Sequence, residues 1–296
     1  MSTPAERIAI ARSALVRAGI PEQDAGLDAE VLARHALSWD RAALLTHGRD
    51  PSPAGFDTSF DQLVARRVRR EPVAQIIGHR EFWDLDFEIN SDVLIPRPET
   101  EFIVEEAIDF HREVAWRTGL DVGTGSGCIA VSIAHALPHV LVTATDCSNT
   151  ALAVARRNAG RHGVSDRITF IQTDLMAGVN GPFDVIVSNP PYVPEGHAAS
   201  MQPEVLRFEP HDALFAGVDG LEIIRRILRN GHSCLAPGGR LIVEFGFGQD
   251  TDVRRLAEES GWTVVRLRED LQGIPRTAVL RQTSSSPSGL PNKMCL

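Results

Sequence analysis

Leu120-Asp121-Val122-Gly123-Thr124-Gly125-Ser126-Gly127 is the stretch that decides the fold. A short strand pattern runs into glycines at alternate positions, and a helical pattern follows. Glycine there lets the backbone turn tightly and lets a ligand come close. A bare G-x-G-x-G also occurs in plain turns, and residue 128 is cysteine, so the full G-x-G-x-x-G dinucleotide fingerprint is absent. The second half of the signal is Asp146, 19 residues after Gly127, at the end of the β-branched run Val140-Leu141-Val142-Thr143-Ala144-Thr145. An acid at the end of a second strand can hydrogen-bond both hydroxyls of a ribose. Loop and acid together fit either a dinucleotide or S-adenosylmethionine. Asp174 closes the next run, Ile168-Thr169-Phe170-Ile171-Gln172-Thr173, where it suits an adenine amine or simply ends a strand.

Further strand patterns follow at Asp184–Ser188, Leu241–Phe245, Trp262–Leu267 and Ala278–Leu280, with helical patterns at Ala151–Asn158 and Leu221–Leu235. Alternating β and α predicts an α/β domain, an open parallel sheet covered on both faces. Ligands of such sheets gather at the carboxyl ends of the strands.

The fourth strand pattern ends in Asn189-Pro190-Pro191-Tyr192, and Tyr192 is the only tyrosine of the chain. An amide or exocyclic amine nitrogen is a poor nucleophile, because its lone pair is conjugated. A rigid turn that accepts both of its N–H bonds can hold such a nitrogen in line with an electrophilic methyl. The Asn189 side-chain oxygen can accept one. The Pro190 carbonyl can accept another, since Pro191 has no N–H. Two prolines stiffen the turn, and Tyr192 offers a flat face. A plain strand-ending turn also favours Asn and Pro. The order of glycine loop, second-strand acid, third-strand acid and this tetrapeptide decides against the plain turn. Adenosine would lie across the first three with its sulfonium methyl aimed at the fourth.

Upstream, residues 4–71 read as four short amphipathic helices, a small bundle. Ile8, Ala11, Leu15 and Ala18 mark the first, and a second is predicted from about Asp28 to Leu37. Arg66, Arg67, Arg69 and Arg70 read as a solvated face of the last. Residues 79–90 read as a β-hairpin connector, and Thr100 as the N-cap of the helix after it. The predicted domains are 1–78 (helical, to which the resemblance stated below gives substrate docking), 79–98 (hairpin and linker), 99–282 (cofactor-binding, catalytic) and 283–296 (a Ser/Pro-rich disordered tail).

The net charge is −9, held wholly by the second part: residues 1–80 carry 11 Arg against 10 Asp+Glu, the rest 19 Lys+Arg against 29. An acidic body argues against gripping a nucleic-acid backbone. No stretch is long and apolar enough to span a membrane, and the N-terminus lacks a signal-peptide layout. Four scattered cysteines and ten histidines without ligand spacing predict reduced thiols, no metal and a cytoplasmic location. Nothing demands more than a monomer.

These residues resemble class I S-adenosylmethionine-dependent methyltransferases, whose fold is Rossmann-like with a seven-stranded, mostly parallel sheet. More narrowly, nearly the whole chain resembles the HemK/PrmC family of protein-(glutamine-N5) methyltransferases. Glu71–Gly78 with Glu81-Phe82-Trp83 looks like that family's domain junction, and Ile95-Pro96-Arg97-Pro98-Glu99-Thr100-Glu101 like its signature segment. Phe208-Glu209-Pro210, Ala213-Leu214, Gly217–Leu221, Pro237-Gly238-Gly239 and Glu244 also fit. The resemblance implies methylation of the glutamine of the Gly-Gly-Gln motif in class 1 peptide chain release factors, with the helical domain helping to hold that protein. It implies that Gly123, Thr124, Gly125, Ser126, Gly127 and Asp146 bind the cofactor, with Asp174, Asn189 and Leu175 beside it; Leu175 takes a place that relatives give to an aromatic. It implies that Asn189, Pro190, Pro191 and Tyr192 bind the glutamine, and that Asn189, Pro190 and Tyr192 are catalytic. The roles of Arg97 and Glu99 stay open. Pro275 departs from the family pattern, and the strand start Arg117-Thr118-Gly119 is unusually polar. An adenine-N6 DNA methyltransferase or a ribosomal-protein glutamine methyltransferase would use the same tetrapeptide. The acidic charge and the Pro-Arg-Pro-Glu-Thr segment favour release factors.

Overall fold

A capping box opens the first helix, Pro4–Arg17. The Thr3 hydroxyl accepts the Glu6 N–H at 3.2 Å, and the Glu6 carboxylate accepts the Thr3 N–H at 2.9 Å. The structure is a computed structural model that describes residues 2–283, so the predicted tail beyond Thr283 lies outside the described residues. They form two compact units: residues up to 96 together with 196–214, and 97–195 together with the residues from 215 on.

In the first unit, Pro4–Arg17 is followed by helices Glu22–Leu37, Arg41–His47, Phe56–Val68 and Val73–Ile77. Leu15, Ile20, Leu32, Phe56 and Phe60 fill its core, with the two phenylalanine rings stacked 5.1 Å apart. The second helix starts at Glu22, one and a half turns before the predicted start. Its first turn carries Glu22 and Asp24, which suit a helix N-terminus. The short fifth helix escapes the sequence pattern because five residues span barely one turn. Strands β1 (His79–Phe82) and β2 (Leu85–Glu88) form the expected antiparallel hairpin. Its two-residue turn, Trp83-Asp84, has positive φ at both positions, as a tight hairpin requires.

Three of the four arginines of the run are spent on ion pairs, and only Arg69 is exposed as a solvated face would be. Arg67 is buried, its Nε donating to Asp28 at 2.7 Å and its Nη2 3.0 Å from Glu204 Oε1. Arg70 donates to Glu204 Oε2 at 2.6 Å, and Arg66 pairs with Glu71. Glu204 arrives from more than a hundred residues downstream, on the short helix Pro203–Phe208. Gln75 Nε2 donates to the Phe208 carbonyl at 2.9 Å and the Ile95 N–H to Glu209 at 3.2 Å. These bonds place 196–214 in the first unit, whereas the sequence reading counts that segment with 99–282.

The second unit is the α/β sheet. Its strands are β3 (Thr118–Val122), β4 (Leu141–Asp146), β5 (Ile168–Gln172), β6 (Phe183–Ser188), β7 (Leu235–Glu244), β8 (Trp262–Glu269) and β9 (Pro275–Gln282), in the order β5-β4-β3-β6-β7-β9-β8. The first five run parallel, and β9 is antiparallel to both β7 and β8. Helix Glu222–Cys234 buries Ile224, Ile227, Leu228 and Gly231 at helical spacing. Each of its large apolar side chains contributes about 1.5–3 kcal/mol by leaving water. Strand β7 begins six residues before the predicted start, because Leu235 pairs with Phe183 ahead of an irregularity in the register. The polar start of β3 also has a cause. Asp184 accepts the N–H groups of Arg117 and Thr118 at 2.8 and 2.9 Å, and the Thr118 hydroxyl at 3.0 Å. Burial works against its charge, but those donors hold Asp184 below the ordinary carboxylate range.

Candidate active site

The glycine loop leaves the end of β3 and enters the helix Cys128–Ala136. Gly123, Gly125 and Gly127 all have positive φ. A side chain at Gly127 would stand 3.0 Å from Ala155 Cβ and 3.2 Å from its Cα, so this glycine lets two helices close up. At Gly123 and Gly125 a Cβ would meet nothing within 4 Å. Their bare backbone faces open space and forms a cradle that side chains would fill. Gly127→Ala should cost about 2–4 kcal/mol of stability, from left-handed strain plus overpacking. A urea unfolding curve that leaves the midpoint unchanged would refute this.

The loop is braced by β4 and by its own strand, β3. The N–H groups of Gly123 and Thr124 donate to the Thr145 carbonyl at 2.9 and 2.8 Å. Asp146, the last residue of β4, accepts the Gly125 N–H at 2.9 Å through one oxygen and the Ser148 N–H at 2.9 Å through the other. Asp121, fully buried, accepts the Thr124 hydroxyl at 2.6 Å and the Ala130 N–H at 3.2 Å through Oδ2. Burial pushes its carboxyl up to about 7, against the pull of those two donors. The Ser126 carbonyl accepts from Asn158 at 2.8 Å.

Asp174 and Leu175 stand just past β5. Asp174 pairs with Arg226 at 2.5 Å on the surface. Leu175 has φ +53° and is packed against the core of the unit. Asn189 follows β6 directly, on the other side of β3. Asp174, Asp146, the glycine loop and Asn189 therefore sit at the carboxyl ends of four adjacent parallel strands, in that spatial order. Strands lie about 4.8 Å apart, so the row spans about 14 Å.

The Asn-Pro-Pro-Tyr turn is anchored from below. Ser188 Oγ donates to the Val122 carbonyl at 2.7 Å, fixing the end of β6 to the end of β3. Asn189 Nδ2 donates to Thr100 Oγ1 at 2.9 Å, and Thr100 Oγ1 donates to Glu244 Oε2 at 2.8 Å. The Tyr192 hydroxyl donates to the other oxygen, Glu244 Oε1, at 3.2 Å. Gln249 completes the brace: its Nε2 donates to the Tyr192 carbonyl at 3.0 Å and its Oε1 accepts the Gly246 N–H at 2.7 Å. Burial and the Glu244 charge raise the Tyr192 phenol well above its ordinary value. Glu244 itself is buried and pushed up to about 7, chiefly by desolvation.

Residues 101–206 match the model of the methyltransferase small domain, and residues 6–78 that of the PrmC N-terminal domain. A release factor glutamine methyltransferase of Koribacter versatilis is 41% identical over 262 residues, covering 88% of this chain and 92% of that protein. One of Cereibacter sphaeroides is 42% identical over 267 residues, covering 90% and 94%. This chain belongs to the release factor glutamine methyltransferase family. Among solved structures, the hMettl16 catalytic domain in complex with MAT2A 3′UTR hairpin 6 superposes with a TM-score of 0.57 at 19% identity, over 77% of this chain and 84% of that one. At that identity the likeness shows the methyltransferase fold alone.

Within the release factor glutamine methyltransferase fold the geometry gives partners, and so roles, that sequence reasoning did not assign. Thr100 does not cap a helix; its φ and ψ are helical and its hydroxyl is spent on Glu244. Gln249 carried no sequence signal. Glu244 had one: an acid directly after Leu241-Ile242-Val243, at the buried end of a central strand. Among the described residues there is no metal-ligand cluster and no helix long and apolar enough to cross a membrane.

Proposed function

We propose that this chain transfers a methyl group from S-adenosylmethionine to the side-chain amide nitrogen of the glutamine in the Gly-Gly-Gln motif of class 1 peptide chain release factors. The names of the relatives support the substrate. The observation that carries the chemistry is Asn189, at the end of β6, with its Nδ2 tied to Thr100 and its Oδ1 left to accept.

Gly123, Thr124, Gly125, Ser126 and Gly127 supply the cradle for the cofactor, with Asp146 for the ribose and Asp174 and Leu175 toward the adenine. The open space over Gly123 and Gly125 fits a group of that kind. Bound there, S-adenosylmethionine supplies a sulfonium methyl, an electrophile with a neutral leaving group. This chain's own task is orientation. Asn189 Oδ1 and the Pro190 carbonyl accept the two N–H bonds of the substrate amide, so its nitrogen presents one face. Pro191 keeps the turn rigid, and the Tyr192 ring bounds the planar group. Alignment and fixed dipoles lower the barrier without a general base. The N–CH3 bond forms as the S–CH3 bond breaks, and the extra proton on nitrogen leaves to solvent. A release-factor substrate places the reaction in the cytoplasm. Every residue named for cofactor and amide belongs to one unit of one chain, so a monomer suffices.

The test is incubation with S-adenosylmethionine and a purified class 1 release factor, followed by mass spectrometry of the Gly-Gly-Gln peptide. One added methyl on the glutamine is the expected result. No added mass with cofactor binding intact would overturn the substrate. Asp146→Ala should weaken cofactor binding by about 2–4 kcal/mol, the worth of charge-assisted bonds to two hydroxyls. Unchanged affinity by calorimetry would remove Asp146 from the site.

A further inference from the structure

The Asn189 carboxamide has two ends that differ only in whether they donate or accept. A turn that must accept from a substrate N–H works in one of the two orientations and opposes the substrate in the other. What selects the orientation lies beneath the turn. A threonine hydroxyl has a single hydrogen. In Thr100 that hydrogen goes to Glu244 Oε2 at 2.8 Å, so Thr100 can offer only a lone pair to Asn189. The end of Asn189 facing it must therefore be Nδ2, as found at 2.9 Å. Oδ1 is turned to the other side. The second oxygen of Glu244 is engaged by the Tyr192 hydroxyl, so both oxygens of one buried carboxylate accept.

We infer that Glu244, acting through Thr100, is a positioning residue that fixes the donor–acceptor polarity of Asn189 and so makes the turn competent for methyl transfer. The inference rests on the reading of Asn189 as acceptor of the substrate amide. An ionised Glu244 secures the polarity, because both of its oxygens can then only accept. A carboxyl protonated on Oε2 would donate to Thr100, which releases the threonine hydrogen toward Asn189. The carboxamide would then turn its oxygen inward and its NH2 outward, donor against donor.

Titration of that carboxyl makes the device pH-dependent. Burial pushes Glu244 up to about 7, the bonds from Thr100 and Tyr192 draw it down, Glu99 raises it and Arg276 on β9 lowers it. Arg97 acts on the same cluster through Tyr192, and Cys128 faces it from the start of its helix. The acid form protonated toward Thr100 is the inactive one, so turnover should fall as pH drops through about 7 and level off above it.

The experiment compares the full-length chain with Glu244→Gln, Thr100→Val, Thr100→Ser and Asn189→Ala, using a purified release factor as substrate. It measures kcat and KM from pH 5.5 to 9, cofactor affinity by calorimetry and the thermal midpoint. Glutamine at 244 carries one accepting oxygen and one donating NH2 and cannot titrate, so the acidic limb should vanish with cofactor affinity unchanged, and kcat at pH 8 should fall by up to about 10-fold as the NH2 competes for the side facing Thr100. Thr100→Val should lower kcat about 10- to 100-fold, and Thr100→Ser, which restores the hydroxyl, should recover most of it. A general loss of fold would lower the midpoint and cofactor affinity together, and Thr100→Ser against Thr100→Val then decides the matter alone. Two results overturn the inference. If Asn189→Ala is inactive while Glu244→Gln keeps both turnover and the acidic limb, Glu244 does not set the polarity. If Asn189→Ala turns over like the wild type, the reading of the turn fails and takes the inference with it.

Discussion

Asn189→Ala should lower turnover by about 10²- to 10³-fold, the loss seen when one preorganised hydrogen-bonding group is removed from a reacting centre. Cofactor affinity should stay within about 2-fold, since Asp146 and the glycine loop are untouched. The loss falls on kcat because the bond is made to a nitrogen whose geometry changes as it pyramidalises. Binding of the release factor through the rest of its surface is unaffected. Single-turnover kinetics with saturating cofactor check this. A rate near that of the wild type would exclude the amide clamp as the source of catalysis. Asn189→Asp is a stricter control. It preserves shape and an acceptor, but cannot donate to the Thr100 hydroxyl, which already serves Glu244.

The second large effect is on folding. Arg67→Ala should destabilise the first unit by about 3–5 kcal/mol, the cost of breaking a buried ion pair by removing one partner. Arg67 is 6% exposed and joins Asp28 to Glu204. Glu204 would keep Arg70, but Asp28 would lose its guanidinium partner. Burial already raises the Asp28 carboxyl, opposed chiefly by the Arg67 bond. Without Arg67 it rises further, and a raised carboxyl is tolerated below its pKa and penalised above it. The loss should therefore be larger at pH 8 than at pH 5. Urea unfolding at both pH values checks this, and an equal loss would remove Asp28 from the account. Arg67→Ala/Asp28→Ala should recover part of the pH 8 loss, because no orphaned charge remains.

The parts of the site that depend on neighbours in sequence were legible. The glycines of Gly123–Gly127 sit together, Asp146 ends a β-branched run, and Asn189–Tyr192 follows an apolar one. A parallel sheet brings strand ends to one edge, whatever the loops between them do. Residues whose meaning comes from a distant partner were not legible. Thr100 reads as a helix cap until Glu244 is found 144 positions away. Arg67 reads as surface charge until Glu204 meets it. The segment 196–214 has no signal of its own for leaving the sheet unit. Its placement comes from single bonds such as Gln75 to Phe208, which no periodicity reports.

Tyr192 is the only tyrosine in the chain, and its hydroxyl rests on the carboxylate beneath the turn. Protein grown with ring-labelled tyrosine will therefore give one tyrosine ring spin system, and that signal comes from the turn proposed to hold the substrate amide, with no mutation introduced. Its chemical shift will follow the charge state of Glu244 as pH is varied, and its exchange broadening will register the arrival of a glutamine side chain. A chain of 296 residues thus carries a built-in single-site reporter of the turn proposed to orient its substrate.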